Sequence, residues 1–396
     1  MNLWEVKVMK HKYIAKRYWN TVASAMGEIG TMMGKYNDII DLTFGDPDFT
    51  TDEIIINAAF EDAKKGHTHY TNFYGDEELR REVCKYYKED YDIDISVDET
   101  FISTSACQGL WLVLETITDD GDEIIIHEPF FTPYPDQIKL TRGIPVYLDT
   151  YEEEGFQINV ERLEKLITNR TKAIIINTPN NPSGARFSDD TLYKIAEIAE
   201  KYDILVIADD IYGLYTFDSE EKNMPFMNIK GMRERTITVC SASKDFAMTG
   251  WRVGYIIAPS YLIDAMEKIN ENNVFTAPSI SQRGMLHAIR NRKLIQPKLY
   301  EAFKERVFYT YERICETKNM SVLPPRGTFY LFPNIKGTGL SSEEVAKKLF
   351  EETHVLVIPG NGFGKSGEGY MRIACTVSVD KIKEAFDRIN RMSIFS

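Results

Sequence analysis

Apolar residues fall in short, near-continuous runs along the middle of the chain, and between those runs they recur at helical spacing. Seven runs read as strands: Thr100–Ile102, Glu123–Ile126, Val146–Leu148, Ala173–Ile176, Leu205–Ala208, Thr236–Val239 and Val253–Ile257. Most are rich in β-branched residues and lack polar alternation, the pattern of strands covered on both faces. The intervening segments, among them Ala106–Ile117, Val160–Ile167 and Asp190–Lys201, read as helices. This alternation predicts an α/β fold with a mostly parallel seven-stranded sheet, right-handed crossovers and flanking helices. Ligands of such sheets bind outside the carboxyl ends of the strands. Asn177, Asp209 and Ser241 each follow directly on a strand run and are expected on that rim.

The pattern changes after about residue 290. A helical stretch, Gln296–Lys318, leads to Pro324-Pro325-Arg326-Gly327 and then to short runs around Phe329–Leu331 and Val355–Val357. We therefore expect a large domain over 48–290 and a smaller α+β domain over 291–396. The segment 1–47, with Tyr13, Tyr18 and Trp19, fits no βα alternation and reads as an arm that adds to the smaller domain.

Composition narrows the class. The chain has 396 residues, of which 43% are hydrophobic and 27% charged, so it has material for a sizeable core. A net charge of −13 argues against general affinity for nucleic acid or anionic membranes, so an anionic ligand needs a local site. No run approaches the 18 or so apolar residues of a membrane span, and no basic-then-apolar leader opens the chain. Cys84, Cys107, Cys240, Cys315 and Cys375 form no C-x-x-C pair, which suggests a reducing compartment, by default the cytoplasm. The six histidines show no H-x-x-x-H spacing, and no metal site is expected.

The strand run Thr236–Val239 is followed by Ser241-Ala242-Ser243-Lys244-Asp245-Phe246-Ala247-Met248-Thr249-Gly250-Trp251-Arg252. A lysine amine is a covalent catalyst toward carbonyls once its surroundings lower its pKa. Hydroxyls and a planar guanidinium are good phosphate ligands. The set suits a phosphorylated aldehyde held as a Schiff base. Ser241-x-x-Lys244 also fits the S-x-x-K signature of penicillin-interacting enzymes, but the S-D-N and K-T-G partners are missing. Gly364-Lys365-Ser366 is not a P-loop, because Pro359 stands where its first glycine belongs.

Four more motifs accompany this segment: Ser105-Ala106-Cys107-Gln108-Gly109, Asn177 through Gly184, Asp209-Asp210-Ile211-Tyr212, and Gly369-Tyr370-Met371-Arg372. Singly, each has an ordinary explanation as a helix start, a turn, an N-cap or an ion-pair arginine. In this order and with these separations the chain resembles the fold-type I pyridoxal phosphate (PLP) enzymes, in particular class I/II aminotransferases of the aspartate and aromatic group. The likeness runs from Leu42-Thr43-Phe44-Gly45-Asp46-Pro47-Asp48-Phe49 through His69-Tyr70 and Gly75 to Arg372.

The resemblance implies roles. Lys244 would form the Schiff base with PLP and carry the proton. Asp209 would pair with the pyridinium nitrogen, Asn181 and Tyr212 would bond the phenolic oxygen, and Phe131 would stack on the ring. The phosphate would fall to the N–H groups of Ala106 and Cys107, to Ser241, Ser243 and Arg252, and to Tyr70 from a neighbouring subunit of a homodimer. Arg372, with Gly45 and Asn181, would clamp the substrate carboxylate. The implied reaction moves the amino group of an L-amino acid to a 2-oxo acid, 2-oxoglutarate by family habit, by ping-pong exchange through pyridoxamine phosphate. A PLP-dependent carbon–sulfur β-lyase shares the fold and is the alternative, with a PLP-sensing regulator as a remote third. Two positions depart from the pattern. Ser105 replaces a glycine common at the phosphate turn, and Cys107 replaces a lysine found in some relatives specific for acidic amino acids. Its place at a helix N-terminus would lower the Cys107 thiol pKa.

Overall fold

Seven strands hydrogen-bond into one sheet: Thr100–Ser103 (β1), Glu123–Glu128 (β2), Ile144–Asp149 (β3), Thr171–Asn177 (β4), Leu205–Asp209 (β5), Thr236–Ser241 (β6) and Gly254–Ile257 (β7). They correspond to the seven predicted runs, in the spatial order β1-β7-β6-β5-β4-β2-β3. All neighbours are parallel except at β7, which runs antiparallel to both β6 and β1. Because β7 reverses twice, β1 points the same way as β6. The carboxyl ends of β1, β2, β4, β5 and β6 therefore share one rim, and the chain enters β7 from that same rim.

This computed structural model describes residues 11–19, 35–217 and 223–396. The chain divides into two compact units. The larger comprises Asp46–Glu305 and Pro325–Thr328 and contains the whole seven-stranded sheet. Alternate residues of each inner strand pack on opposite faces. Ala173, Ile175 and Ile207 meet the helices Ala106–Ile117 and Ser260–Glu271, whereas Ile174, Ile176 and Val206 meet Leu192, Ile195 and Ala199 of Asp189–Tyr202. Edge strand β3 departs from the covered pattern, since Ile144 and Tyr147 are exposed there.

The smaller unit comprises the described part of Met1–Gly45 with Arg306–Pro324 and Phe329–Ser396. Ile40–Asp41 pairs in parallel with Val355–Leu356. Met371–Ala374 lies between Ile358–Pro359 and Tyr330–Leu331 in a three-stranded antiparallel sheet. Of the expected arm, residues 1–10 and 20–34 lie outside the described residues. Residues 11–19 form a local turn, in which the Trp19 indole donates to the Ile14 carbonyl at 2.8 Å and Tyr13 stands exposed. No described helix is long and apolar enough to cross a membrane.

A buried ion cluster ties three stretches of the larger unit together. Arg283, only 5% exposed, donates to Asp62 at 2.8 Å, Asp76 at 3.1 Å and Glu78 at 2.6 Å. Burial alone would push the Asp62 carboxyl up, but hydrogen bonds from His287 and Arg283 outweigh it and hold its pKa at about 2. Removing the cation leaves the buried Asp62 carboxylate without its arginine, so Arg283→Met is expected to cost about 3 kcal/mol in urea unfolding near neutral pH. The wild-type contribution of Asp62 is complete above about pH 4 and is lost as the pH falls through about 2. The gap between wild type and variant should narrow over that range.

Candidate active site

The rim is built from strand ends, and its centre is Asp209. This residue closes β5, is 3% exposed, and its Oδ2 accepts a hydrogen bond from the Tyr134 hydroxyl at 2.5 Å. Its Oδ1 is buried and has no hydrogen-bond partner among the described residues. Burial raises its pKa to about 6, against the lowering effects of Tyr134 and the Ile211 N–H. The Asn177 amide, at the end of β4, donates to the Asp209 carbonyl at 2.9 Å. The oxygen of that same amide accepts the Asn181 N–H at 2.8 Å. One side chain thus links the Asp209 backbone to the turn that carries Asn181. Asn181 and Tyr212 are both buried, and Phe131, which follows β2, sets its ring edge-on to Tyr134 at 5.5 Å.

Beyond the end of β1 begins the helix Ala106–Ile117. Ser105 caps it, accepting the Gln108 N–H on Oγ at 3.1 Å and the Gly109 N–H on its carbonyl at 2.9 Å. The N–H groups of Ala106 and Cys107 remain at the open first turn, where an anion is favoured. Ser105 has φ 165°, extended backbone that any residue adopts, so the glycine common in relatives is not needed here. The close approach falls instead at Gly254, the first residue of β7. A Cβ there would sit 2.7 Å from the Cys240 carbonyl and 2.9 Å from the Ala106 nitrogen. The expected lowering of the Cys107 pKa is not found: burial raises it, and the opposing pull of Arg252 is smaller. The thiol faces Gln137, whose side-chain amide lies 3.4 Å from Sγ and 2.8 Å from the Cys107 carbonyl.

Lys244 projects from Ala242–Asp245, a single helical turn after β6, and is half-buried. Ser241 caps that turn, accepting the Ser243 N–H at 3.2 Å, and both serines are buried. The chain then makes two left-handed residues, Ala247 (φ 51°) and Arg252 (φ 54°), before entering β7. Side chains from the start of the unit support this stretch. Thr51 donates to the Ala247 carbonyl at 2.7 Å, Trp251 donates to Thr51 at 3.0 Å, and Thr249 donates to Asp46 at 2.6 Å.

The sheet thus brings Ala106, Cys107, Phe131, Asn181, Asp209, Tyr212, Ser241, Ser243, Lys244 and Arg252 to one rim. Gly45 and Arg372 belong to the smaller unit. There the Arg372 guanidinium lies 4.4 Å from the Tyr330 ring centre and 4.9 Å from that of Phe363, and donates to the Thr43 carbonyl. A Cβ at Gly45 would collide with the Tyr330 hydroxyl at 1.6 Å. Tyr70 is not on the rim. It is 80% exposed, edge-on to Phe275, in a surface hollow with His67 and His69. Sequence reasoning missed Tyr134 and the contact role of Gly254. Tyr134 sits three residues past Phe131, but nothing in the sequence shows that it reaches Asp209.

These residues fit pyridoxal phosphate. A buried carboxylate oxygen without a partner suits a protonated ring nitrogen, and open helix N–H groups with buried hydroxyls suit a phosphate. Without that cation, an ionised Asp209 is unfavourable. Its pKa of about 6, against about 3.9 unfolded, costs the cofactor-free protein about 3 kcal/mol above pH 6 and nothing below pH 4. Asp209→Asn is therefore expected to raise the Tm of the cofactor-free protein above pH 6 and not below pH 4. Scanning fluorimetry across that range checks this, and parallel curves would contradict it.

The sequence matches the family described as "Aminotransferase class I and II" over residues 37–389. It is 38% identical to an aspartate aminotransferase of Pyrococcus horikoshii over 386 residues, covering 96% of this chain and 98% of the relative. It is 37% identical to aromatic-amino-acid aminotransferase 2 of Thermococcus litoralis over 89% of this chain and 91% of that one. Among solved structures it is similar to the aspartate aminotransferase of Thermus thermophilus with maleate, with a TM-score of 0.91 and 28% identity over 96% of this chain and 100% of that one. The chain belongs to the class I and II aminotransferases, transferases of the fold-type I architecture that work with pyridoxal phosphate.

Proposed function

We propose that this aminotransferase takes its amino group from an L-amino acid of the aspartate or aromatic group and passes it to a 2-oxo acid, 2-oxoglutarate being the expected acceptor. The observation that carries the reading is the unpartnered, buried Oδ1 of Asp209 on the rim that also holds Lys244. Bound pyridoxal phosphate supplies an aldehyde for the amino group and a protonated ring that accepts the electron pair of the broken Cα–H bond. Asp209 keeps that ring protonated, because an anion held beside it favours the cationic form. Lys244 would hold the cofactor covalently, and its freed amine would move the proton between the substrate Cα and the C4′ carbon of the cofactor. Asn181 and Tyr212 would hydrogen-bond the phenolic oxygen, and Phe131 would cover the ring.

The Ala106 and Cys107 N–H groups, the hydroxyls of Ser241 and Ser243, and Arg252 hold the phosphate. Arg372 grips the α-carboxylate that every amino acid presents, a task to which Gly45 and Asn181 also contribute, so the Cα–H bond is oriented before it breaks. An 80% exposed Tyr70 suits a homodimer in which it reaches the phosphate of the neighbouring subunit. Five scattered free cysteines suit a reducing compartment such as the cytoplasm.

The test is the absorption spectrum of the PLP-loaded enzyme with single L-amino acids and no oxo acid. Loss of the cofactor's visible band with stoichiometric release of the matching 2-oxo acid is the expected result. Ammonia and pyruvate from cysteine-like donors would make the protein a β-lyase. Lys244→Ala should abolish turnover, and retained activity would overturn the assignment. Arg372→Leu should raise KM for aspartate and phenylalanine alike, as loss of a common handle does. A change confined to one of them would refute that role.

A further inference from the structure

We infer that Tyr215 is a positioning residue for Lys244, its buried phenol pinning the backbone of the reactive lysine to the segment that carries Asp209 and Tyr212. The inference rests on Lys244 being the reactive amine. Ala242–Asp245 is one helical turn, too short to satisfy its own carbonyls through i to i+4 bonds. The Lys244 carbonyl receives the Phe246 N–H and, at 3.5 Å, the Ala247 N–H. The strong donor is a side chain: the Tyr215 hydroxyl donates to the Lys244 oxygen at 3.0 Å.

Tyr215 is itself immobilised. It is fully buried, with its ring edge-on to Phe303 at 5.4 Å. Its N–H donates to the Tyr212 carbonyl at 2.9 Å, and its own carbonyl accepts the Thr328 N–H at 2.9 Å. Thr216 bridges to Gly327, where a Cβ would lie only 2.8 Å from the Tyr215 oxygen. The stretch that begins at Asp209 is thus locked in place before it reaches across to the lysine. On the far side, Thr51 holds the Ala247 carbonyl at 2.7 Å. Two side-chain clamps three residues apart, at the Lys244 and Ala247 carbonyls, thus hold the turn that carries the lysine.

The contact gives the base of a flexible four-carbon stem a fixed origin relative to the carboxylate and phenol that work with it. Displacing a reacting group by about 1 Å can cost about 100-fold in rate. The phenol adds no charge beside the amine. Burial, and then the Asp245 carboxylate, push its pKa well above the ordinary tyrosine value, so it remains a donor at any working pH.

Tyr215→Phe keeps the ring on Phe303 and deletes only the donor. The expected result is a kcat lower by about tenfold, with KM for the amino acid and Kd for PLP within about twofold of wild type. The kcat ratio should stay constant from about pH 6 to about pH 9. In the cofactor-free protein, the amides of residues 242–248 should exchange faster while the rest of the chain does not. Unchanged kcat, or a loss shared equally by Kd for PLP, would overturn the inference. Borohydride reduction of the wild-type PLP complex, with peptide mass spectrometry, separates the two readings. A label on another lysine refutes the role of Lys244 itself, whatever Tyr215→Phe does. A label on Lys244 with unchanged kcat in the variant refutes only the role of Tyr215.

Discussion

A carboxylate at the end of a parallel strand, sealed from water with one oxygen unbonded, is the constraint on which the rest of this site depends. Asp209 carries a desolvation penalty that its neighbours only partly offset, through hydrogen bonds to its carboxylate from the Tyr134 hydroxyl and the Ile211 N–H. A protein gains nothing in stability from such a group. It gains a preformed place for a cation, and around that place the chain has arranged a lysine, a phenol and an aromatic ring. The turn carrying Asn181 is tied to the same point through Asn177.

The proposed phosphate end poses the opposite electrostatic problem. A chain with net charge −13 has no overall field to draw in a dianion, so capture has to be local. The helix that begins at Ala106 supplies backbone donors there. The lack of a side chain at Gly254 lets β7 run close against that first turn. Because β7 enters the sheet from the same rim, Arg252, two residues before its start, is delivered to the rim without a long connection. In the proposed site the two charged ends of the cofactor would thus be met by different devices, a buried carboxylate and an open helix end.

Much of this was legible in the chain. All seven strands were, because near-continuous β-branched runs admit few other readings. The rim residues Asn177, Asp209 and Ser241 were legible too, because each directly follows such a run. Other features depend on partners far away in sequence. Edge strand β3 carries an apolar run like its neighbours, and only its place in the sheet leaves Ile144 and Tyr147 exposed. The reversal of β7 leaves no mark in its composition. Cys107 stands at a helix start, which argues for an acidic thiol, but the packed interior around it raises the pKa instead.

The sequence by itself determined the alternation that makes a parallel sheet and the side chains available at each strand end. It also set the order of motifs that places the chain among aminotransferases. These are local matters, since periodicity and strand-end chemistry depend on residues a few positions apart. Only the tertiary structure decided which groups support the reactive ones. Tyr134 reaches Asp209 across 75 positions, Tyr215 reaches the Lys244 carbonyl across 29, and Thr51 reaches Ala247 across 196. No spacing rule links such pairs, because what joins them is the packing of separate segments against one sheet.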